Sequence, residues 1–113
     1  MACLFCDIAA GKIPARMVYQ GPNVTAFRDI NPQAPTHVLV IPNRHLAGLA
    51  ELADADRDLL SELVSVANQV ARDEGIAPEG YRVVVNQGRN GGQTVSHLHL
   101  HLLGGRPMTW PPG

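Results

Sequence analysis

The 113-residue sequence has little net charge, little cysteine, one lysine and no long apolar run. Nine basic and ten acidic residues leave a formal charge of −1. Proteins that hold nucleic acid by overall charge are basic, so no nucleic-acid partner is expected. No apolar stretch approaches the ~20 residues of a membrane span, so no membrane partner is expected either. The start, Met1-Ala2-Cys3-Leu4-Phe5-Cys6, lacks the basic region and apolar core of a secretory signal. A cytoplasmic protein is the expectation, and in that compartment two cysteines point to thiols or a metal before a disulfide. Eight of the nine basic residues are arginine, with Lys12 the exception, and no function follows from that.

What is present suits a globular chain. Hydrophobic residues make up 45% and charged residues 17%. A chain of this mass buries about two-thirds of its surface on folding, enough for a core without staples. There is no repeat, low-complexity tract or long linker, so residues 1–113 read as a single domain.

Local patterns give five strands and two helices. Cys3 to Ala10 reads as a short helix stopped by Gly11. Residues 16–19, 24–30 and 37–41 read as strands, the third mostly apolar and so central. Between the second and third, Asn31-Pro32-Gln33-Ala34-Pro35 must be a loop. After Asp54, the residues Leu59, Leu60, Leu63, Val64, Ala67, Val70 and Ala71 recur at helical spacing, with Asp54 or Asp56 as cap and Gly75 at the end. Residues 81–85 and 97–103 are the last strands, and Asn90-Gly91-Gly92 has hairpin-turn chemistry. The order strands, helix, strands favours an α+β fold with a five-stranded antiparallel sheet. One long helix cannot cover such a sheet, and dimerisation is the expected remedy.

The informative segment is His97-Leu98-His99-Leu100-His101-Leu102-Leu103. Side chains alternate along a strand, so three leucines face the core and three histidines share the other face. Three imidazoles packed as mere core would each need a hydrogen-bonding partner. Two active readings remain. His-x-His on a strand can clasp zinc or copper. Alternatively, the rings are a nucleophile and its helpers, since imidazole is largely neutral at cytosolic pH and suits attack on phosphorus. The preceding run Asn86-Gln87-Gly88-Arg89-Asn90-Gly91-Gly92-Gln93-Thr94 could present backbone N–H groups to a phosphate, or could be only a turn.

His-Leu-His-Leu-His-Leu-Leu, preceded by Gly92-Gln93-Thr94-Val95-Ser96, resembles the motif of the histidine-triad nucleotide-binding family. Residues 26–37, the run Val40-Ile41-Pro42-Asn43-Arg44-His45 and the tail ending Trp110-Pro111-Pro112-Gly113 are similar to its Hint branch, the purine nucleoside phosphoramidases. The resemblance covers nearly the whole chain. It implies an α+β fold, a homodimer with a continuous ten-stranded sheet, and a purine nucleotide of the AMP type as substrate. The implied reaction is hydrolysis of the P–N bond of adenosine 5′-phosphoramidates and related adenylates. His99, the middle histidine, is then the nucleophile that carries the nucleotidyl intermediate. His101 binds phosphate oxygens and assists proton transfer, with His37 and His97 in support. Asn86, Gly92, Gln93 and Thr94 surround the phosphate and leaving group. Asp29 accepts the ribose hydroxyls, Phe5, Phe27 and Ile30 lie around sugar and base, and Trp110 reaches toward the partner's site. No cofactor is required for catalysis. Dinucleoside polyphosphate hydrolysis and a non-catalytic sensor or adaptor role are the alternatives. Arg28 stands where well-known eukaryotic members have histidine, and Thr94 where they have serine.

Cys3-Leu4-Phe5-Cys6 is a second constellation. A thioredoxin-like reading wants a βαβ context that is absent here. In bacterial-type members of the family, such a pair joins the histidine of Ile-Pro-x-x-His and the first triad histidine, which are His45 and His97 here. The resemblance thus implies a Cys₂His₂ set for a structural zinc on Cys3, Cys6, His45 and His97. A metal on His97 leaves that ring less free for proton transfer.

Overall fold

The computed structural model describes residues 3–113. Its elements are α1 (Leu4–Ala9), β1 (Met17–Gln20), β2 (Val24–Arg28), β3 (Thr36–Pro42), α2 (Arg57–Asp73), β4 (Tyr81–Val84), a single helical turn α3 (Gly88–Gly91) and β5 (Leu100–Gly104). Two short 3₁₀ turns, Leu49–Glu51 and Asp54–Asp56, lead into α2. All neighbouring strands are antiparallel, in the order β1-β2-β3-β5-β4. Among the described residues no helix is long and apolar enough to cross a membrane.

Residue parity decides what faces what. Along β2, β3 and β5, the side chains of Val24, Ala26, Val38, Val40, Leu100 and Leu102 point to one face. There they pack on Leu63, Val66, Ala67, Val70 and Ala71 of α2, forming the main core. The odd-numbered residues Phe27, Leu39 and Ile41 point to the other face and pack on Phe5 and Ile8 of α1. Because α1 is only six residues long, it covers one end of that face. The rest opens as a cavity of about 710 Å³. β3 is buried on both faces, as its apolar run predicts.

Three local expectations need correcting. The last strand starts at Leu100, three residues later than the alternation suggests. Although β3 runs on to Pro42 against β2, the β3–β5 ladder stops at Leu100–Val40. Before it, the Leu98 N–H bonds the Leu46 carbonyl at 2.7 Å, and the Pro42 carbonyl takes a ring N–H from His97. Residues 95–97 bend, yet Leu98 still lies in the core. Second, Asn90-Gly91-Gly92 is no hairpin turn. Fifteen residues separate β4 from β5, and the loop holds the α3 turn, closed by Gly92 at φ +80°. Third, Leu60 and Val64 of α2 are exposed, 40% and 46%, whereas Val66 is buried. The apolar stripe is thus rotated from the one expected. Gly11 and Gly75 do close α1 and α2 in the left-handed conformation. Asp56 accepts the Ala53 N–H at 2.9 Å and so caps the turn entering α2.

Candidate active site

The cavity floor is made where β2, β3 and β5 lie side by side. His37 of β3 sits opposite Leu103 of β5, and Leu39 opposite His101. Odd-numbered residues on both strands share the cavity face, so His37 and His101 meet diagonally, with ring centroids 5.2 Å apart. The His99 ring lies 4.9 Å from that of His101, and Phe5 meets His99 edge-on at 5.2 Å. Phe5 and Phe27 pack edge to face at 5.4 Å, so both serve the core and the cavity wall.

Each ring's hydrogen bonds select its tautomer, since a carbonyl can only accept and a backbone N–H can only donate. His99 Nδ1 lies 2.6 Å from the His97 carbonyl and must carry the proton. In the neutral ring Nε2 is then the bare lone pair, on a side chain that lines the cavity. His37 Nδ1 accepts the Gln33 N–H at 3.0 Å, which places the proton on Nε2. That nitrogen is 2.9 Å from His101 Nδ1 and 3.4 Å from Asp29 Oδ2. His101 Nδ1 is then an acceptor, and its own proton sits on Nε2. His97 Nε2 donates to the Pro42 carbonyl at 2.8 Å, leaving Nδ1 bare.

Burial favours the neutral ring at three of these sites. It pushes His101 down to about 4, reinforced by His99 and His37 and opposed by Asp29. His37 is lowered by burial, again against Asp29. His97 is lowered by burial first, with His45 and His99 adding to the effect.

The bare Nδ1 of His97 faces a separate cluster. It lies 3.3 Å from Cys3 Sγ, 3.5 Å from Cys6 Sγ and 3.2 Å from His45 Nδ1, and Cys6 Sγ is 3.3 Å from that His45 nitrogen. With Zn–S of about 2.3 Å and Zn–N of about 2.0–2.1 Å, a tetrahedral site has S···N edges of about 3.5 Å and N···N edges of about 3.3 Å. The four donors match those edges, so the residues present fit a zinc ion. Both cysteines are free thiols. Burial, then the neighbouring Cys3 thiol, pushes Cys6 up to about 11.

Residues 10–108 match the HIT domain family. The chain belongs to the HIT family. It is 48% identical over 105 residues to the purine nucleoside phosphoramidase of Escherichia coli K12, covering 93% of this chain and 88% of that one. It is 51% identical over 112 residues to a 14 kDa zinc-binding protein of Zea mays, covering 97% and 87%. Among solved structures, a HIT family hydrolase from Legionella pneumophila superposes with a TM-score of 0.98 at 54% identity, covering 99% of this chain and 100% of that one.

Within this HIT fold, the expected site residues divide into groups. His99, His101, Asp29, Phe5, Phe27, Ile30 and Thr94 surround the cavity or its mouth, Ile30 being 99% exposed, and His37 is buried behind His101. Asp29 closes an Asx turn, Oδ1 accepting the Asn31 N–H at 2.8 Å, and leaves Oδ2 beside His37. Cys3, Cys6, His45 and His97 form the metal-type cluster. Asn86, Gly92, Gln93 and Trp110 do not line the cavity in the single chain. The Gln93 amide donates to the Ala47 and Val95 carbonyls and accepts the Gly88 N–H, stapling the loop. Trp110 is 81% exposed. The sequence reading missed the Gln33 N–H and the Pro42 carbonyl as tautomer-setting groups. Backbone atoms carry no residue-type signal, so no motif announces them. It also missed Glu74, which holds the Arg28 guanidinium by two bonds of 2.7 and 2.9 Å, although Arg28 itself borders the cavity.

Proposed function

We propose that this HIT-family protein hydrolyses the P–N bond of adenosine 5′-phosphoramidates and related adenylates through a nucleotidyl-histidine on His99. The observation that carries the reading is the His99 ring, held by the His97 carbonyl with its bare Nε2 left for the cavity. A neutral, oriented imidazole is a competent nucleophile toward phosphorus and a good leaving group afterwards. Nε2 attacks the α-phosphorus, the N–P bond forms, and the P–N bond to the amine breaks. The departing nitrogen must take up a proton. His101 donates its Nε2–H as a hydrogen bond to a phosphate oxygen; the neutral ring has no second proton to lose, so the proton for the departing nitrogen comes from solvent beside it. Water then cleaves the histidine–phosphorus bond and releases the nucleotide. The relative named a purine nucleoside phosphoramidase supports this choice of reaction.

Asp29 Oδ2 serves as acceptor for the ribose hydroxyls, with Phe5, Phe27 and Ile30 around sugar and base. Thr94 lies beside the phosphate, and Asn86, Gly92 and Gln93 shape the loop behind it. His97 supports catalysis through its carbonyl, because both its ring nitrogens are engaged. Cys3, Cys6, His45 and His97 hold a structural zinc, which supplies a cross-link from α1 to the segment before β5 and no chemistry on the nucleotide. The relative named a zinc-binding protein agrees with that site. Residues 1–113 act as one domain in a cytoplasmic homodimer. The free edge of β4, with Val83 41% exposed, and the exposed Leu60 and Val64 of α2 supply the dimer surface. Trp110 reaches from there to the partner's cavity.

The test compares wild type and His99→Ala on adenosine 5′-phosphoramidate and on diadenosine polyphosphates, before and after chelation. Phosphoramidate cleavage that is lost in His99→Ala, with AMP binding retained, supports the reading. Preference for the polyphosphates overturns the substrate assignment. No cleavage of either by AMP-binding protein moves the function to sensing.

A further inference from the structure

A chain of hydrogen bonds leads from the C-terminal tail to the cavity. Arg106 follows β5, and its Nε and Nη2 both donate to the Gln33 carbonyl, at 3.2 and 3.0 Å. The Gln33 N–H donates to His37 Nδ1, and His37 Nε2 is 2.9 Å from His101 Nδ1. The Gln33 side chain donates to the Asn31 carbonyl at 3.0 Å, and the Asn31 N–H donates to Asp29. Residue 33 is thus tied at its N–H, its carbonyl and its side chain, within a loop already stiffened by Pro32 and Pro35. The tail can lie this close because residue 105 is glycine. It sits at φ +90°, and a Cβ there would be 2.9 Å from Pro35 Cβ.

We propose that Arg106 and the Gln33 backbone are positioning groups that select the reactive tautomer of His101. The inference rests on the reading of His101 as the donor to the phosphate. With the Gln33 N–H fixed on His37 Nδ1, the His37 proton has only Nε2 to occupy. That N–H faces His101 Nδ1, which must be bare, so the His101 proton points outward at Nε2. Without the Gln33 N–H, His37 is free to carry its proton on Nδ1, and only Asp29 Oδ2, 3.4 Å from Nε2, still favours the Nε2–H form. A His101 ring protonated at Nδ1 instead would present a lone pair to an anionic phosphate, which is repulsive. Arg106 contributes by holding residue 33 at the distance the chain needs. The same loop carries Asp29, so the ribose acceptor and the proton donor share one scaffold.

Long-range proton–nitrogen correlation of the histidine rings tests this, because it distinguishes a protonated from a bare ring nitrogen. Wild type is expected to show the Nε2–H tautomer at His37 and His101. Gln33→Pro deletes the N–H beside an existing proline and is expected to populate the Nδ1–H tautomer at both rings. Arg106→Ala, at an exposed position, is expected to do so in part, and Arg106→Lys to restore most of the wild-type signal. On phosphoramidate, kcat/KM should fall roughly three- to tenfold in Arg106→Ala, about one hydrogen bond's worth. Unchanged tautomers in both Gln33→Pro and Arg106→Ala overturn the proposal even if the enzyme is slower. Shifted tautomers in a protein that cleaves no phosphoramidate support the positioning chain and overturn the proposed reaction instead.

Discussion

Arg28→Ala should destabilise the protein by about 2 kcal/mol, and the effect should belong to one partner. Arg28 ends β2 with its side chain on the α2 face, where it grips Glu74 just beyond the last helical turn. The two bonds are 2.7 and 2.9 Å, and the side chains are 29% and 21% exposed. A fully exposed pair contributes about 0–1 kcal/mol, whereas breaking a fully buried one costs about 3–5. This pair lies between. In a chain of this length, about 2 kcal/mol lowers Tm by roughly 8 °C. Urea melts of Arg28→Ala, Glu74→Ala and the double variant, at one protein concentration, isolate the coupling, expected at about 1–2 kcal/mol. The Arg28 guanidinium holds the Glu74 carboxyl below its ordinary value. A depressed carboxyl stabilises above its unfolded pKa, and the contribution is lost as pH falls through the lower folded value. The coupling should therefore be equal at pH 7 and pH 5.5 and vanish in strong acid. A cycle that closes with less than about 0.5 kcal/mol of coupling at pH 7 would refute the reasoning.

Three further outcomes follow from the same structure. Replacing Cys3 and Cys6 together by serine should abolish stoichiometric zinc binding and lower Tm, while leaving measurable phosphoramidase activity at low temperature; metal analysis and melting curves check this, and full retention of zinc would contradict it. Acidification from pH 7 to 5 should destabilise the fold by roughly 2 kcal/mol through His101 alone, because its folded pKa of about 4 lies below the unfolded 6.5. The unfolded chain binds the extra proton, so stability falls as pH drops through that window; His37 acts in the same direction, and His101→Gln should flatten the profile. Gly104→Ala should cost about 1–3 kcal/mol in denaturant melts, since its Cβ would lie 2.5 Å from Ile76 Cδ1 and 3.0 Å from Ile76 Cβ in the main core.

Much of the fold was legible from periodicity. The continuous apolar run at 37–41 became the strand buried on both faces, and the glycines at 11 and 75 closed the helices they follow. The registration of the final strand was not legible, because it depends on the Leu98 bond to Leu46 and on the His97 ring bond to the Pro42 carbonyl. The hairpin at Asn90 failed for a similar reason. Asn-Gly chemistry acts only if two strands are already two residues apart, and here a helical turn fills the gap. At the site, alternation did place His99 and His101 on one face, where both line the cavity; His37 came from the family resemblance. Alternation did not reveal that His97 turns its bare nitrogen toward the cysteines. That assignment follows from the Pro42 carbonyl, a backbone group 55 residues away. The tautomers likewise depend on the carbonyl of His97 and the N–H of Gln33, which no residue pattern records.

The covalent intermediate is the most direct test of the account. Wild-type protein mixed with excess adenosine 5′-phosphoramidate, quenched within one turnover in alkali and digested, should yield one peptide carrying one adenylate on His99. The adduct should be absent from His99→Ala and should persist in zinc-depleted protein that remains folded. An adenylate on His101 or His37, or rapid turnover by His99→Ala, would contradict the account.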